Sequence, residues 1–458
     1  MEAKKSSNKT VWILFLVIGG LLLIFTLAGV AVYWVYLSLG TYGLSRQMPP
    51  EIREVRVLSG ANVLDKKVFF QREGSGLVKI IREAAKTKGD AERQKAINAQ
   101  VGQNFDRFEE IVVGELDGQP GTDVALLGRT AVHILSPDGN LRSYTPFELE
   151  MRKVKVGWLE SESPRNGFNN VQAVDLDSDG RTEFILSGLT DGLAVFDLNG
   201  KLLWKYGALE LDLGKALNSE TKEPMVNSVA AGDMDRDGKA EVFVLMSYEG
   251  LRAFDSAGNV KWVQPLGEHW SDLKVVDLTG AGMPSLLEKD GTKIFFRDVD
   301  GNVFQTTEII DFYGDLTFCS NADGKKPQLL DEHGGKFKVL DINGLKILEG
   351  DAPFSEIKLD KASSGSGRIK EILDHPKAAW VKLRSDQPKY LAVTGQFIGL
   401  ERSLFYLYDA KGNLIYEELL PGETSSIAAL PGQDGIESIL VGGEKTVWRY
   451  NMAEMDRK

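Results

Sequence analysis

The stretch that most restricts what this chain can fold into is Asp175-Leu-Asp-Ser-Asp-Gly-Arg-Thr-Glu183, which recurs nearly intact as Asp233-Met-Asp-Arg-Asp-Gly-Lys-Ala-Glu241. Each copy carries carboxylates at loop positions 1, 3 and 5, a glycine at 6 and a glutamate at 9, and a hydrophobic strand-like run follows at once. Carboxylates at alternate positions of a tight loop can turn inward together, and Gly180 or Gly238 supplies the positive φ such a loop needs. Oxygen-only ligands around a small cavity suit a hard cation, Ca²⁺ first. An EF-hand would place a bidentate glutamate at position 12, where this chain has Leu186 and Val244. The loops are therefore expected at the turns of a repeated all-β unit.

Composition agrees with many short strands. Among 458 residues there are 48 glycines but only 15 prolines, and turns between short strands are where glycine is most needed. The formal net charge of −12 argues against a nucleic-acid surface. Cys319 is the single cysteine, which excludes a disulfide framework and a cysteine-based metal site.

The N-terminal region has a different character. Residues 1–10 are short and basic, and an apolar run without a charge follows from Val11 to about Leu39. That run exceeds the ~20 residues needed to cross a bilayer. Trp12 at one end and Tyr33, Trp34 and Tyr36 at the other suit the two interfaces, and Lys4, Lys5 and Lys9 place the N-terminus in the cytoplasm. A cleaved signal peptide is the competing reading, with Gly29-Val-Ala31 as its cleavage site, but a signal core is only ~7–15 residues long. The expectation is a single-pass anchor over 11–39 with the bulk of the chain periplasmic or extracellular. Residues 40–105 form a juxtamembrane segment, with short strands near Val55–Val57 and Lys67–Phe70 and a short helical insertion from Leu77 to Phe105.

From Asp106 two signatures alternate at a period of ~40–60 residues, in the range of propeller blades. One is an acidic turn before a strand: Glu115-Leu-Asp117, the two complete loops, Asp277-Leu-Thr-Gly280, Asn321-Ala-Asp323 and Gly432-Gln-Asp-Gly435. The other is a hairpin with an Asp-x-x-Gly turn or a close variant, as in VFDLNGKLLW, AFDSAGNVKW, FRDVDGNVFQ and LYDAKGNLIY. Repeat starts near Phe108, Val171, Val229, Leu273, Thr317, Lys389 and Ser425 give an all-β fold, a β-propeller of about seven blades over residues 106–452. A weakly patterned region around 350–388 reads as an insertion, and the strands near 53–71 are free to pair with the last blade and protect its edge.

At these residues the chain resembles the FG-GAP/VCBS-type repeat propellers, the family that includes the integrin α-subunit head. The resemblance covers roughly 106–450, is strongest over 171–263, and lacks a literal Phe-Gly…Gly-Ala-Pro string. It implies two structural Ca²⁺ sites. One would use Asp175, Asp177, Asp179 and Glu183 with the backbone carbonyl of Arg181, the other Asp233, Asp235, Asp237 and Glu241 with that of Lys239. The remaining copies depart: Asp277-Leu-Thr-Gly280 has lost two carboxylates, and Asp117-Gly-Gln-Pro-Gly-Thr-Asp123 reads as out of spacing, so these loops are expected to fold without metal. The hairpins also resemble those of pyrroloquinoline-quinone-type propellers, in which a tryptophan closes each blade. Trp204 and Trp262 match that position and Trp448 is out of phase, which implies blade docking rather than quinone chemistry.

Nothing in the sequence forms a catalytic set. His133, His269, His333 and His375 lack ligand or triad spacing, and His133 reads as a packed strand residue. There is no phosphate loop and no nucleophile elbow. The favoured reading is a membrane-tethered propeller binding a protein partner in an envelope assembly through loops on one rim. A carbohydrate- or polymer-binding receptor or polysaccharide-active enzyme would instead show exposed rings at Trp158, Trp270 or Trp380. A quinone-dependent dehydrogenase would need a cofactor cavity on the propeller axis.

Overall fold

The structure is a computed structural model that describes residues 53–72 and, with short gaps, 108–453. The expected anchor over 11–39, the tail before it and the helix over 77–105 lie outside the described residues. No helix among the described residues is long and apolar enough to cross a membrane. The chain divides into two units, and everything below concerns the larger, Glu54–Lys358 with Ile369–Lys458.

Its strands form antiparallel meanders in which neighbours in sequence are neighbours in the sheet. Seven such sheets follow one another, spanning residues 110–146, 170–206, 226–264, 272–308, 317–351, 374–421 and 426–452, here blades 1 to 7. The protein is a seven-bladed β-propeller. Six of the seven blades begin within three residues of the sequence expectation. The sixth begins with Asp374–Val381 rather than near Lys389. The sequence start near Lys389 falls at the second strand, Tyr390–Phe397, because the first strand lies within the weakly patterned region 350–388. The weakly patterned region before it holds a separate hairpin, Glu356–Lys358 with Lys370–Ile372.

The blades stand face to face, so their middle strands are covered on both sides. Asp123–Leu127, Glu183–Gly188 and Glu241–Met246 are buried at every position, which is why these segments read as continuous apolar runs. Side chains of adjacent blades interlock: Leu127 and Ile134 with Phe184 and Phe196 between blades 1 and 2, Val195 with Val242 and Val244 between 2 and 3, Phe243 and Leu251 with Leu286 between 3 and 4. Outer strands add a second contact. Trp204 Nε1 donates to Ser256 O at 2.9 Å in the next blade, and Trp262 Nε1 to Val299 O at 2.7 Å. The turn glycines make room for these rings: a Cβ on Gly258 would lie 2.6 Å from Trp204 Cδ2.

The ring is closed by the beginning of the chain. Leu64–Gln71 pairs antiparallel with Thr446–Met452 as the fourth strand of blade 7. Arg56–Ser59 pairs with Leu414–Pro421 and gives blade 6 a fifth strand. Phe69, Phe108, Ile111, Leu430 and Leu440 share one cluster that seals blade 7 against blade 1.

Antiparallel connectivity sorts the turns. In each of blades 1 to 6 the turn between first and second strands and the turn between third and fourth lie at the same end of the sheet. The acidic loops 115–123, 175–183 and 233–241 and the Asp-x-x-Gly hairpins therefore share one face. The longer connections, leaving at Gln71, Pro146, Tyr206 and Asp351, start from the other end. There a three-stranded sheet of Met151–Val156, Leu159–Pro164 and Glu210–Asp212 is formed.

Candidate metal centre

The two complete loops adopt the same conformation. Gly180 and Gly238 have φ of 84° and 88°, as the sequence required. Ser178 and Arg236, at position 4, are also left-handed, with φ of 59° and 63°, a conformation that L-residues adopt at a cost of ~1–3 kcal/mol. That double reversal turns the backbone N–H groups inward, where the carboxylates collect them. Gly180 N–H donates to Asp175 Oδ2 (3.0 Å), Asp179 N–H to Asp177 Oδ1 (3.2 Å), Arg181 N–H to Asp179 Oδ1 (2.7 Å) and Leu176 N–H to Glu183 Oε2 (2.8 Å). Blade 3 repeats the set on Asp233, Asp235, Asp237 and Glu241 at 3.1, 3.1, 2.8 and 3.0 Å.

Asp175, Asp177 and Glu183 each present one oxygen, and these oxygens all lie within 4.8 Å of one another; Asp233, Asp235 and Glu241 do the same. Asp179 and Asp237 are exposed and fall outside these groups. The side chains of Arg181 and Lys239 are also exposed. Asp175 Oδ1 and Asp233 Oδ1 are buried with no hydrogen-bond partner. A buried carboxylate oxygen without a donor is costly unless a cation meets it. In blade 2, burial pushes the Glu183 carboxyl up to about 7; the Leu176 N–H pulls the other way, and Asp177, Asp179 and Asp175 add to the rise. Three hard oxygens, one of them unsatisfied, fit a divalent cation of the Ca²⁺ type.

Blade 3 differs in one respect. Lys261 Nζ, from its fourth strand, sits 2.7 Å from Asp235 Oδ2 and 2.8 Å from Glu241 Oε1. Burial works to lower that ammonium's pKa, but the bonds to Asp235 and Glu241 outweigh it and hold the pKa above the usual lysine value. Sequence reading missed this residue because it lies twenty positions beyond the loop.

Blade 1 corrects a second expectation. Asp123 opens the second strand as Glu183 does, and its carboxylate accepts from the Leu116 backbone as Glu183 accepts from Leu176. Gln119 N–H donates to Asp117 Oδ1 at 2.9 Å, matching Asp179 on Asp177. The loop Glu115–Asp123 is thus in frame with acids at positions 1, 3 and 9, and Gln-Pro-Gly in place of Asp-Gly-x disguised it. Its Asp123 carboxylate is paired with the Arg142 guanidinium. Burial raises Asp123 above the ordinary carboxylate value while Arg142 acts to lower it.

The three loops form a row. Thr182 N–H donates to Leu116 O at 2.9 Å, Ala240 N–H to Leu176 O at 2.8 Å, and Ser178 Oγ to Gly238 O. A backbone bridge links Asp117 with Arg181.

Of the other singled-out residues, His133 is buried among Phe70, Phe108 and Tyr144, and burial with nearby Arg72 lowers it to about 4. It is a packed residue, as its strand position suggested. Trp380 is buried and donates Nε1–H to Gln328 Oε1 at 2.9 Å, so it offers no ring to a ligand. Trp448 is also buried, beneath the Lys66 ammonium. Trp158, Trp270 and His269 lie outside the described residues.

No family model matches this chain, and no curated protein matches it. Among solved structures it is similar to BBS1N crystallised in complex with ARL6DN, at 9% identity and a TM-score of 0.47, covering 77% of this chain and 94% of that one. It is also similar to the Neurospora crassa Pan2 WD40 domain, at 10% identity and TM-score 0.40 over 74% and 88% of the two chains. The V. cholerae biofilm matrix protein Bap1 follows at 12%, 0.29, 73% and 66%. At these values the propeller assignment rests on the chain's own seven sheets.

Proposed function

We propose that this chain is a membrane-anchored extracytoplasmic propeller of the FG-GAP/VCBS type. It would act as a protein-binding or scaffold module in a cell-envelope assembly, with structural calcium in its acidic loops. The observation that carries this reading is the row of three stacked acidic loops on a single face of the ring. The loops are linked by backbone hydrogen bonds, so whatever cation fixes one loop also fixes the position of its neighbours. Such a face is a rigid display surface, and rigid display is what a binding module needs. The uninterrupted apolar run 11–39 supports the anchor. An extracytoplasmic location supports calcium, since sites of ~10⁻⁴–10⁻³ M affinity are filled there. The buried Trp380 removes one of the three rings on which a carbohydrate reading relied.

Placing a photo-crosslinking residue on each face in intact cells tests the proposal. Gln119 and Arg236 report on the loop face, and Thr292 and Lys445, in turns between second and third strands, on the opposite one. Discrete protein adducts from the loop face alone are expected. A chain that forms no adduct from that face and is recovered as a lone monomer after mild extraction would overturn the reading.

A further inference from the structure

The fourth strand of each of blades 1 to 6 makes the same irregular step beside its turn. Opposite the third strand one residue is skipped: Arg142, Leu203, Lys261, Phe304, Ile347 and Ile415 in order. Each stands three positions after the turn glycine. A bulge re-aims its extra side chain. In blades 1 and 3 the bulged residue is a cation that pairs with the acid at loop position 9, Arg142 with Asp123 and Lys261 with Glu241. Lys261 also takes Asp235, so it meets two of the three clustered acids of its loop. Blade 2 has the complete acid set and, at the same bulge, Leu203, half exposed and without charge.

We propose that the bulged residue of the fourth strand decides where each loop's positive charge comes from. Arg142 and Lys261 are tethered cations that stand in for the metal, and Leu203 leaves the 175–183 loop dependent on an external divalent ion. This rests on the calcium reading above and makes it unequal. The 175–183 loop is the strong site, and 233–241 takes Ca²⁺ only by expelling an ammonium that already holds two carboxylates. Two charge-assisted hydrogen bonds must then be given up, so the second site is weaker by roughly ten- to hundredfold.

Calorimetric titration of the full-length, detergent-extracted and metal-stripped chain with Ca²⁺ tests this. The wild type is expected to show one strong and one weak site, K261M two strong sites, and L203K two weak sites. D177N should also lose the strong site, which assigns it to blade 2. Two equivalent sites in the wild type, or a weak site unmoved by K261M, overturns the proposal. If no variant binds Ca²⁺, the calcium reading fails on its own. The tethered cation is then judged by melting in chelator, where K261M should fall below the wild type and L203K should rise above it. Equal melting in all three would refute it.

Discussion

Glu417 is a carboxylic acid held inside blade 6, 4% exposed, with Oε1 lacking a hydrogen-bond partner. Burial pushes its pKa up to about 7. Between the usual glutamate value and about 7 the folded chain therefore keeps a proton that the unfolded chain has released. The stability this contributes is complete below that window and is lost as pH rises through it. E417Q, which stays neutral, should melt at a temperature less sensitive to pH between about 5 and 8 and exceed the wild type at the upper end; parallel melting curves for the two would refute the assignment. His133 has the opposite sign. Its lowered pKa means that stability falls as pH drops from the ordinary histidine value through about 4, so H133F should hold its melting temperature better than the wild type in mild acid. At Gly258 the constraint is steric. G258A would force a side chain into positive φ and against the Trp204 ring, and a loss of about 1–3 kcal/mol from the backbone alone is expected in urea unfolding.

At the scale of the element, the acidic loop is where sequence reading and structure can be set side by side. The two complete loops were legible because every residue of the frame is local: carboxylates, glycine and glutamate lie within nine positions. The hairpins were legible for the same reason. What escaped was non-local or disguised. Lys261 reaches the loop across the width of its blade. Asp123 keeps its place behind a Gln-Pro-Gly stretch that hides the spacing of the frame, and the first strand of blade 6 lies in the weakly patterned region, so that only its second strand was read. The left-handed Ser178 and Arg236 gave no signal either, since neither residue favours that conformation. The loop's metal dependence can be measured directly. With about 10 mM Ca²⁺ and a site of ~10⁻⁴–10⁻³ M, binding should add ~1.4–2.7 kcal/mol to stability. Melting with and without chelator should show the difference in the wild type and a smaller one, from the 233–241 loop alone, in D177N.

For the whole molecule, the decisive feature is closure. Seven sheets in an open row would leave one face of blade 1 and one face of blade 7 in solvent; Leu64–Gln71 completes blade 7 as its fourth strand and brings Phe69 into the cluster that joins the two faces. A chain beginning at residue 54 should fold with cooperative unfolding, whereas one beginning at residue 73 should aggregate or melt far lower, as circular dichroism and light scattering would report. Comparable melting of the two would show that the added strand contributes little.

That closing strand also sets a schedule. Leu64 finds its partner in Met452, about 390 residues later in synthesis, which at ~5–20 residues per second is a wait of roughly 20–80 s. Through that interval an eight-residue strand with Val68, Phe69 and Phe70 in it has no hydrogen-bonding strand partner, and only contacts towards blade 1, such as those of Phe70 with Phe108 and His133, can form. A ribosome pausing late on this message would prolong the exposure, and holdase chaperones that recognise short apolar stretches should be found on nascent chains that stop before residue 446.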